Sequence, residues 1–286
     1  MPAPHTATLL IHCPDKPRLL HEVTRFIFSH QGNILDLQQH IAPVDNAFFM
    51  RLEWSLENFT LEQSEIRDRL APLARRHGMQ WQLHFSSQRR RVALFVTKEN
   101  HCLYDLLARH EAGELPVDIP VIVSNHETLR GAAERFGIPF RVFPITPQNK
   151  QAQEAAQLEL LREERVDTVV LARYMQIISP VMIAAFPCGI LNIHHSFLPA
   201  FVGAKPYHQA FERGVKLIGA TSHYVTEELD QGPIIHQDVT RVSHEDSVED
   251  LVRLGRDLEK TVLAKALWRH VRNQVLVYRN KTVVFS

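Results

Sequence analysis

Along the first 85 residues the apolar side chains switch between two spacings. TATLLIHC, residues 6 to 13, reads as a strand, and after PDKP, with Asp15 as the expected N-cap, Leu19, Leu20, Val23, Phe26 and Ile27 recur at helical spacing. Gly32 and Asn33 stop that helix. Residues 34 to 43 and 47 to 56 then read as two strands joined by a turn at Asp45 and Asn46. A second helix is predicted from about Leu61 to His77, ended by Gly78, and MQWQLHF, 79 to 85, is a fourth strand. The order βαββαβ lays two helices on one face of an antiparallel sheet, the ferredoxin-like arrangement. SSQRRR, 86 to 91, is the polar break that follows, so two domains are expected, 1–86 and 87–286.

From Val92 the texture changes. VALFV, VDIPVIVS, FRVFPI, VDTVVLA and GILNIHH are short β-branched runs separated by stretches of helical period. Such alternation predicts a Rossmann-like α/β domain, a mostly parallel sheet covered by helices, with ligands at the carboxyl ends of its strands. KLIGATSHYVT and IIHQDVTRV add two strands, SVEDLVRLGRDLEKTVLAKALWRHV one long amphipathic helix, and QVLVYRNKTVVF a closing hairpin.

Charge narrows the partners. Lys plus Arg and Asp plus Glu both number 32, so no basic face argues for nucleic acid or an anionic membrane, and a small-molecule ligand is expected. Three scattered cysteines make neither a disulfide framework nor a metal knuckle. With no basic n-region followed by an apolar h-region, and no long apolar run, the chain reads as cytoplasmic. Seventeen histidines raise the question of a metal, but no His-Glu-x-x-His pair is present, and His194 and His195, adjacent on a strand, are expected to diverge. No metal and no cofactor are expected.

The candidate chemistry sits in NIHHSFLP, 192 to 199, followed at a distance by Asp230 in ELDQGP. On an extended backbone Asn192 and His194 project to one side, and Ile193 and His195 to the other. An amide donor and an imidazole at a strand end, with a carboxylate from a separate loop, suit attack on a carbonyl carbon. The donors hold the developing oxyanion and the carboxylate handles the proton.

NIHHSFLPAFVGAKPYHQAFERGVKLIGATSHYVTEELDQGPII (192–235), LARYMQIISP (171–180), FFMR (48–51) and the βαββαβ head together resemble the formyltransferase-fold enzymes that handle 10-formyltetrahydrofolate. The resemblance is closest to the formyltetrahydrofolate deformylases and covers essentially the whole chain. It implies an ACT-like N-terminal domain, a formyltransferase-fold catalytic domain and a role in one-carbon and purine metabolism. It also implies that Asn192 and a protonated His194 stabilise the formyl oxyanion while Asp230 activates water. For the pterin it points to Arg173, Tyr174, Met175, Gln176 and Ile177, with Val225 to Asp230 as the opposite wall; Ser196 and Gly203 complete the substrate side, Ser196 also shaping the turn. Tyr174 and Met175 read equally as core packing, and His195 as a packed residue facing away from the site.

The same fold serves hydrolases and transferases. Transferases to glycinamide ribonucleotide hold its phosphate in a glycine-rich turn after the first strand of this domain, whereas the corresponding turn here, VTKENHCLYDLL (96–107), has no glycine. Water is therefore the expected acceptor; formyl transfer to an amine and a non-catalytic folate or amino-acid sensor are the alternatives. ACT-like domains commonly bind small amino acids, often between copies, which implies glycine or methionine as effector at Asp15, Arg18 and Leu19 and a homodimer or homotetramer. Arg18 stands where the family most often has glycine, so oligomer contact alone is an equal reading.

Overall fold

The computed structural model of the protein describes residues 5–200 and 206–286. Contacts divide the chain into two compact units: Met1–Arg89 with Asn273–Tyr278 and Val283–Ser286, and Arg90–Arg272 with Arg279–Thr282.

The first unit runs β1 (Thr6–Pro14), α1 (Leu19–Ser29), β2 (Asn33–Ala42), β3 (Ala47–Ser55), α2 (Gln63–His77), β4 (Gln80–Phe85), and its sheet has the antiparallel order β2-β3-β1-β4. Ala7, Leu9, Ile11 and Cys13, alternate residues of β1, pack with Leu19, Val23 and Ile27 of α1 and Ile66, Leu70 and Ala74 of α2. Leu10 and Phe49 face away from the helices and pack with Leu276 and Phe285 from the end of the chain. Strand β3 is thus buried on both faces, which is why AFFMRLEWS shows no clean alternation. Arg51 lies in the same strand, 5% exposed, its guanidinium 2.6 Å from both Asp36 and Glu53 and donating to the Asn273 carbonyl at 3.1 Å. The expected division at residue 86 put the whole C-terminal hairpin in the second domain; burial of Leu276 and Phe285 against β1 and β3 draws most of it into the first.

The start of α1 also differs from expectation. Asp15 is not its N-cap; the helix begins after Arg18, which holds φ 74° with no side-chain cap, while the Asp15 amide donates to the Asn46 carbonyl at 2.9 Å. Pro17 disfavours helical geometry at the residue before it, so the helix forms only beyond PDKP.

The second unit runs β5 (Arg90–Val96), α3 (His101–Glu111), β6 (Val117–Asp118), β7 (Ile122–Ser124), α4 (Arg130–Arg135), β8 (Phe140–Val142), α5 (Lys150–Glu163), β9 (Thr168–Leu171), α6 (Pro180–Ala185), β10 (Ile190–His194), α7 (Pro206–Arg213), β11 (Leu217–Tyr224), β12 (Ile234–Arg241) and α8 (Val248–Val271). The hairpin β13 (Val275–Tyr278) and β14 (Lys281–Val284) closes the chain. The sheet order is β12-β11-β10-β9-β5-β7-β8, parallel from β10 to β8 and antiparallel at β11 and β12. VDIPVIVS forms two strands instead of one, because Pro120 has no N–H to give the ladder. From β5 the chain goes to β7 and β8 on one side and returns to β9 on the other, so the loops after β5 and β9 diverge at the carboxyl edge of the sheet and open a crevice there. Helix α8 starts on a capping box, Ser247 Oγ accepting from the Asp250 amide at 3.2 Å and the Asp250 carboxylate from the Ser247 amide at 3.1 Å. Among the described residues no helix is long and apolar enough to cross a membrane.

Candidate active site

Strand β10 lies between β9 and β11, with Asn192 opposite His223 and His194 opposite Thr221. The turn after β10 is fixed by Thr221, whose hydroxyl donates to the Ser196 carbonyl at 2.8 Å and accepts from the Leu198 amide at 3.1 Å. After β11 the chain loops back to Asp230, held at φ 56°, a left-handed conformation that a short polar side chain tolerates. Its Oδ2 is 3.2 Å from His194 Nδ1 and its Oδ1 3.7 Å from His223 Nε2. Asn192 Nδ2 is 3.2 Å from the same His223 Nε2. The three residues singled out in the sequence thus meet, and His223 links two of them.

Sequence reasoning missed His223. A register irregularity between Ser222 and His223, where β11 pairs with β12, accompanies its turn toward the loop. Its Nδ1, 2.9 Å from the Tyr224 carbonyl, carries a proton. The neutral ring then accepts from Asn192 at Nε2, and the charged ring donates toward Asp230. The close contact of His194 and then the nearby His223 ring hold the Asp230 carboxyl far below the usual carboxylate range, so it is an anion. Nε2 of His194 is buried and has no hydrogen-bond partner among the described residues.

His195 does not face away from the site. Regular alternation stops where β10 stops, at His194, and the two rings stack at 5.1 Å between centroids with 17° between planes. Two imidazolium ions at that distance would repel by about 3 kcal/mol at an effective dielectric of about 20. His195 is kept neutral: burial, then the charge of Arg173, lowers its pKa to about 4. Arg173, at φ 63° in the loop after β9, bonds His195 Nδ1 through Nη1 and lies 3.5 Å from the buried Glu259 carboxylate.

These groups line a cavity of about 570 Å³ in the crevice after β5 and β9. Arg173, Tyr174, Met175, Gln176 and Ile177 form part of its wall, and Val225 to Glu227, Leu229 and Asp230 another part. Tyr174 belongs to the core as well, 5% exposed and edge-on to Phe95, its hydroxyl accepting from Gln157 at 3.2 Å and its pKa pushed up by burial to about 12. Met175 and Ile177 are mostly exposed and supply the apolar surface a flat ring needs. Ser196 is not part of this wall; its hydroxyl donates to the Ala200 carbonyl at 2.7 Å and closes the turn. Gly203 lies outside the described residues. In the first unit Leu19 is 2% exposed within the core, so its side chain has no face left for an effector, whereas Arg18 is exposed and Asp15 half-buried.

Glu99, in the glycine-free turn after β5, is 2.7 Å from Arg256 and 3.9 Å from His101, all three lining the cavity. Among the described residues one cluster draws metal-type ligand atoms together, His101, Cys102 and Glu259 within 4.8 Å. Its donors are engaged: Glu259 accepts from His101 at 2.8 Å and from the Tyr207 hydroxyl at 2.6 Å, and burial pushes the Cys102 thiol well up.

Residues 90–267 match the family model for formyl transferases and residues 7–74 that for ACT domains. The chain is 52% identical to a formyltetrahydrofolate deformylase of Synechocystis over 98% of its own length and 99% of the relative's. A second deformylase, from Bacillus subtilis, is 46% identical over 97% of this chain and 93% of that one. A crystal structure of a formyltetrahydrofolate deformylase from Pseudomonas syringae pv. tomato, 47% identical, superposes with a TM-score of 0.97 over 100% of this chain and 96% of its own. With an ACT domain followed by a formyl transferase domain, and this identity over nearly its full length, the chain belongs to the formyltetrahydrofolate deformylase family.

Proposed function

We propose that this chain hydrolyses 10-formyltetrahydrofolate to formate and tetrahydrofolate, with Asn192, His194 and Asp230 as its catalytic residues. The observation that carries the assignment of roles is the convergence of Asn192, His194 and Asp230 on one cavity, with His194 Nε2 left without a hydrogen-bond partner among the described residues. In this reading Asn192 and His194 donate to the formyl oxygen as it becomes negative, an interaction stronger in the transition state than in the bound substrate. Asp230 is too weakly basic to deprotonate free water. It orients the attacking water and the His194 ring, and takes the proton as the new C–O bond makes the water oxygen acidic. The C–N10 bond then breaks, N10 leaves as an amine with a proton returned to it, and formate is released.

Water is favoured over a phosphorylated amine by the turn after β5, where Glu99 is already paired with Arg256 and offers an anion where a phosphate cradle would need donors. A formate-release assay with and without glycinamide ribonucleotide tests the assignment. Formate in both conditions is expected; no formate, with formylation of the ribonucleotide instead, would overturn it. The reading extends to the first unit as an amino-acid-responsive or assembly module, dimeric or tetrameric, in which glycine or methionine binding changes the deformylation rate; unchanged kinetics at saturating amino acid leave it assembly alone.

A further inference from the structure

The cavity wall holds a polar cluster that the hydrolytic scheme does not use. Glu259, one turn beyond Gly255 on α8, is 1% exposed. Both its oxygens are taken, Oε2 by His101 and Oε1 by Tyr207, and the Arg173 Nε lies at 3.5 Å. Burial would push this carboxyl up, yet the His101 hydrogen bond, the Arg173 charge and the Tyr207 hydroxyl hold it below the ordinary range, so it is an anion inside the protein. Such an anion makes a half-buried arginine tolerable. That arginine reaches on to His195. A guanidinium has donors only, so His195 Nδ1 must present a lone pair, and the single ring proton sits on Nε2. The charged and titratable groups around His195 are Arg173, Glu259, His194, Asp230 and Tyr207.

We propose that Glu259 is a positioning residue: by compensating the charge of Arg173 it lets the guanidinium hold His195 as a neutral, Nε2-protonated imidazole stacked on His194, so that of the stacked pair His194 is the ring paired with Asp230. The kinetic consequence rests on the deformylase reading; the state of the imidazole does not.

The test is the histidine ¹⁵N spectrum of the full-length protein, with the His195 signal assigned by its loss in His195→Gln. In the wild type His195 is expected as one tautomer, bare at Nδ1 and protonated at Nε2, from about pH 6 to 8. In Glu259→Gln the same ring is expected to stay neutral but to lose its single tautomer, the proton being shared between Nδ1 and Nε2. Its kcat for formate release should fall about tenfold or more, with KM within about threefold, while Glu259→Asp keeps most of the rate. A wild-type His195 protonated at Nδ1 or cationic at neutral pH overturns the proposal, and so does a folded Glu259→Gln whose His195 signal is unchanged. If Glu259→Gln does not fold, Arg173→Lys, which keeps the charge beside Glu259 and withdraws the planar fork from His195, is read in the same way. Should the wild type release no formate, the deformylase reading fails while the imidazole spectrum still decides the role of Glu259.

Discussion

In the proposed hydrolysis Asp230 is the proton acceptor, and its electrostatics make the expectation specific. Asp230→Asn keeps the shape and the folate wall but removes the proton acceptor, so kcat should fall by about 10²- to 10⁴-fold while a folate analogue binds within a fewfold of wild type. Equilibrium binding set against steady-state formate release separates the two, and a sensor without catalysis would be indifferent. The carboxyl is depressed by His194 and then His223, so the stability it contributes is present above the unfolded value of 3.8 and is lost as pH falls below it. Protonation of Asp230 therefore does not limit the rate between about pH 5 and 7; an acid limb in that window must come from another group. The shared face of Asn192 and His194 was legible in the sequence because a two-residue strand spacing states it outright, whereas Asp230 was reached through the resemblance. His223 and Glu259 were not legible, since each reaches the site through tertiary pairing: His223 by antiparallel register to Asn192, Glu259 from α8 across to His101, 158 residues away along the chain. His195 was misread because alternation holds only while the strand lasts.

At the scale of elements, the loop that delivers Asp230 is anchored where it rejoins the sheet. A Cβ on Gly232 would sit 1.8 Å from the Tyr224 carbonyl oxygen, backbone at the end of β11 that cannot rotate aside. Gly232→Ala should therefore shift the loop, cost about 3 kcal/mol or more by overpacking, and lower kcat because Asp230 lies two residues upstream. Thermal denaturation and formate release measured together check this; a variant with wild-type melting and rate would show that the loop adapts. Elements of strong period, such as β10 and the capped helix α8, were readable from the chain, as was the stop of α2 at Gly78 in its left-handed C-cap. Proline overrode the pattern twice: Pro17 delayed α1, and Pro120 cut one apolar run into two strands.

At the scale of the whole molecule, the parallel sheet and its crevice follow from the order of β-branched and helical runs, but the destination of the last dozen residues does not. QVLVYRNKTVVF states a hairpin and says nothing of which apolar surface receives it. The clue was indirect: LLIH in β1 and AFF in β3 carry apolar residues on successive positions, more than one face against α1 and α2 can use. Leu276 and Phe285, 3% and 4% exposed, fill the second face with Leu10, Ala47 and Phe49. Leu276→Ala is therefore expected to destabilise the first unit by about 2–5 kcal/mol, the cost of a cavity in a closed core. Hydrogen exchange would locate the loss: β1 and β3 amides should exchange faster in the variant, whereas β9 and β10 keep their protection. Faster exchange confined to the hairpin itself would mean that β1 and β3 do not need this cover, and that the fold of the first unit is complete without the chain's return.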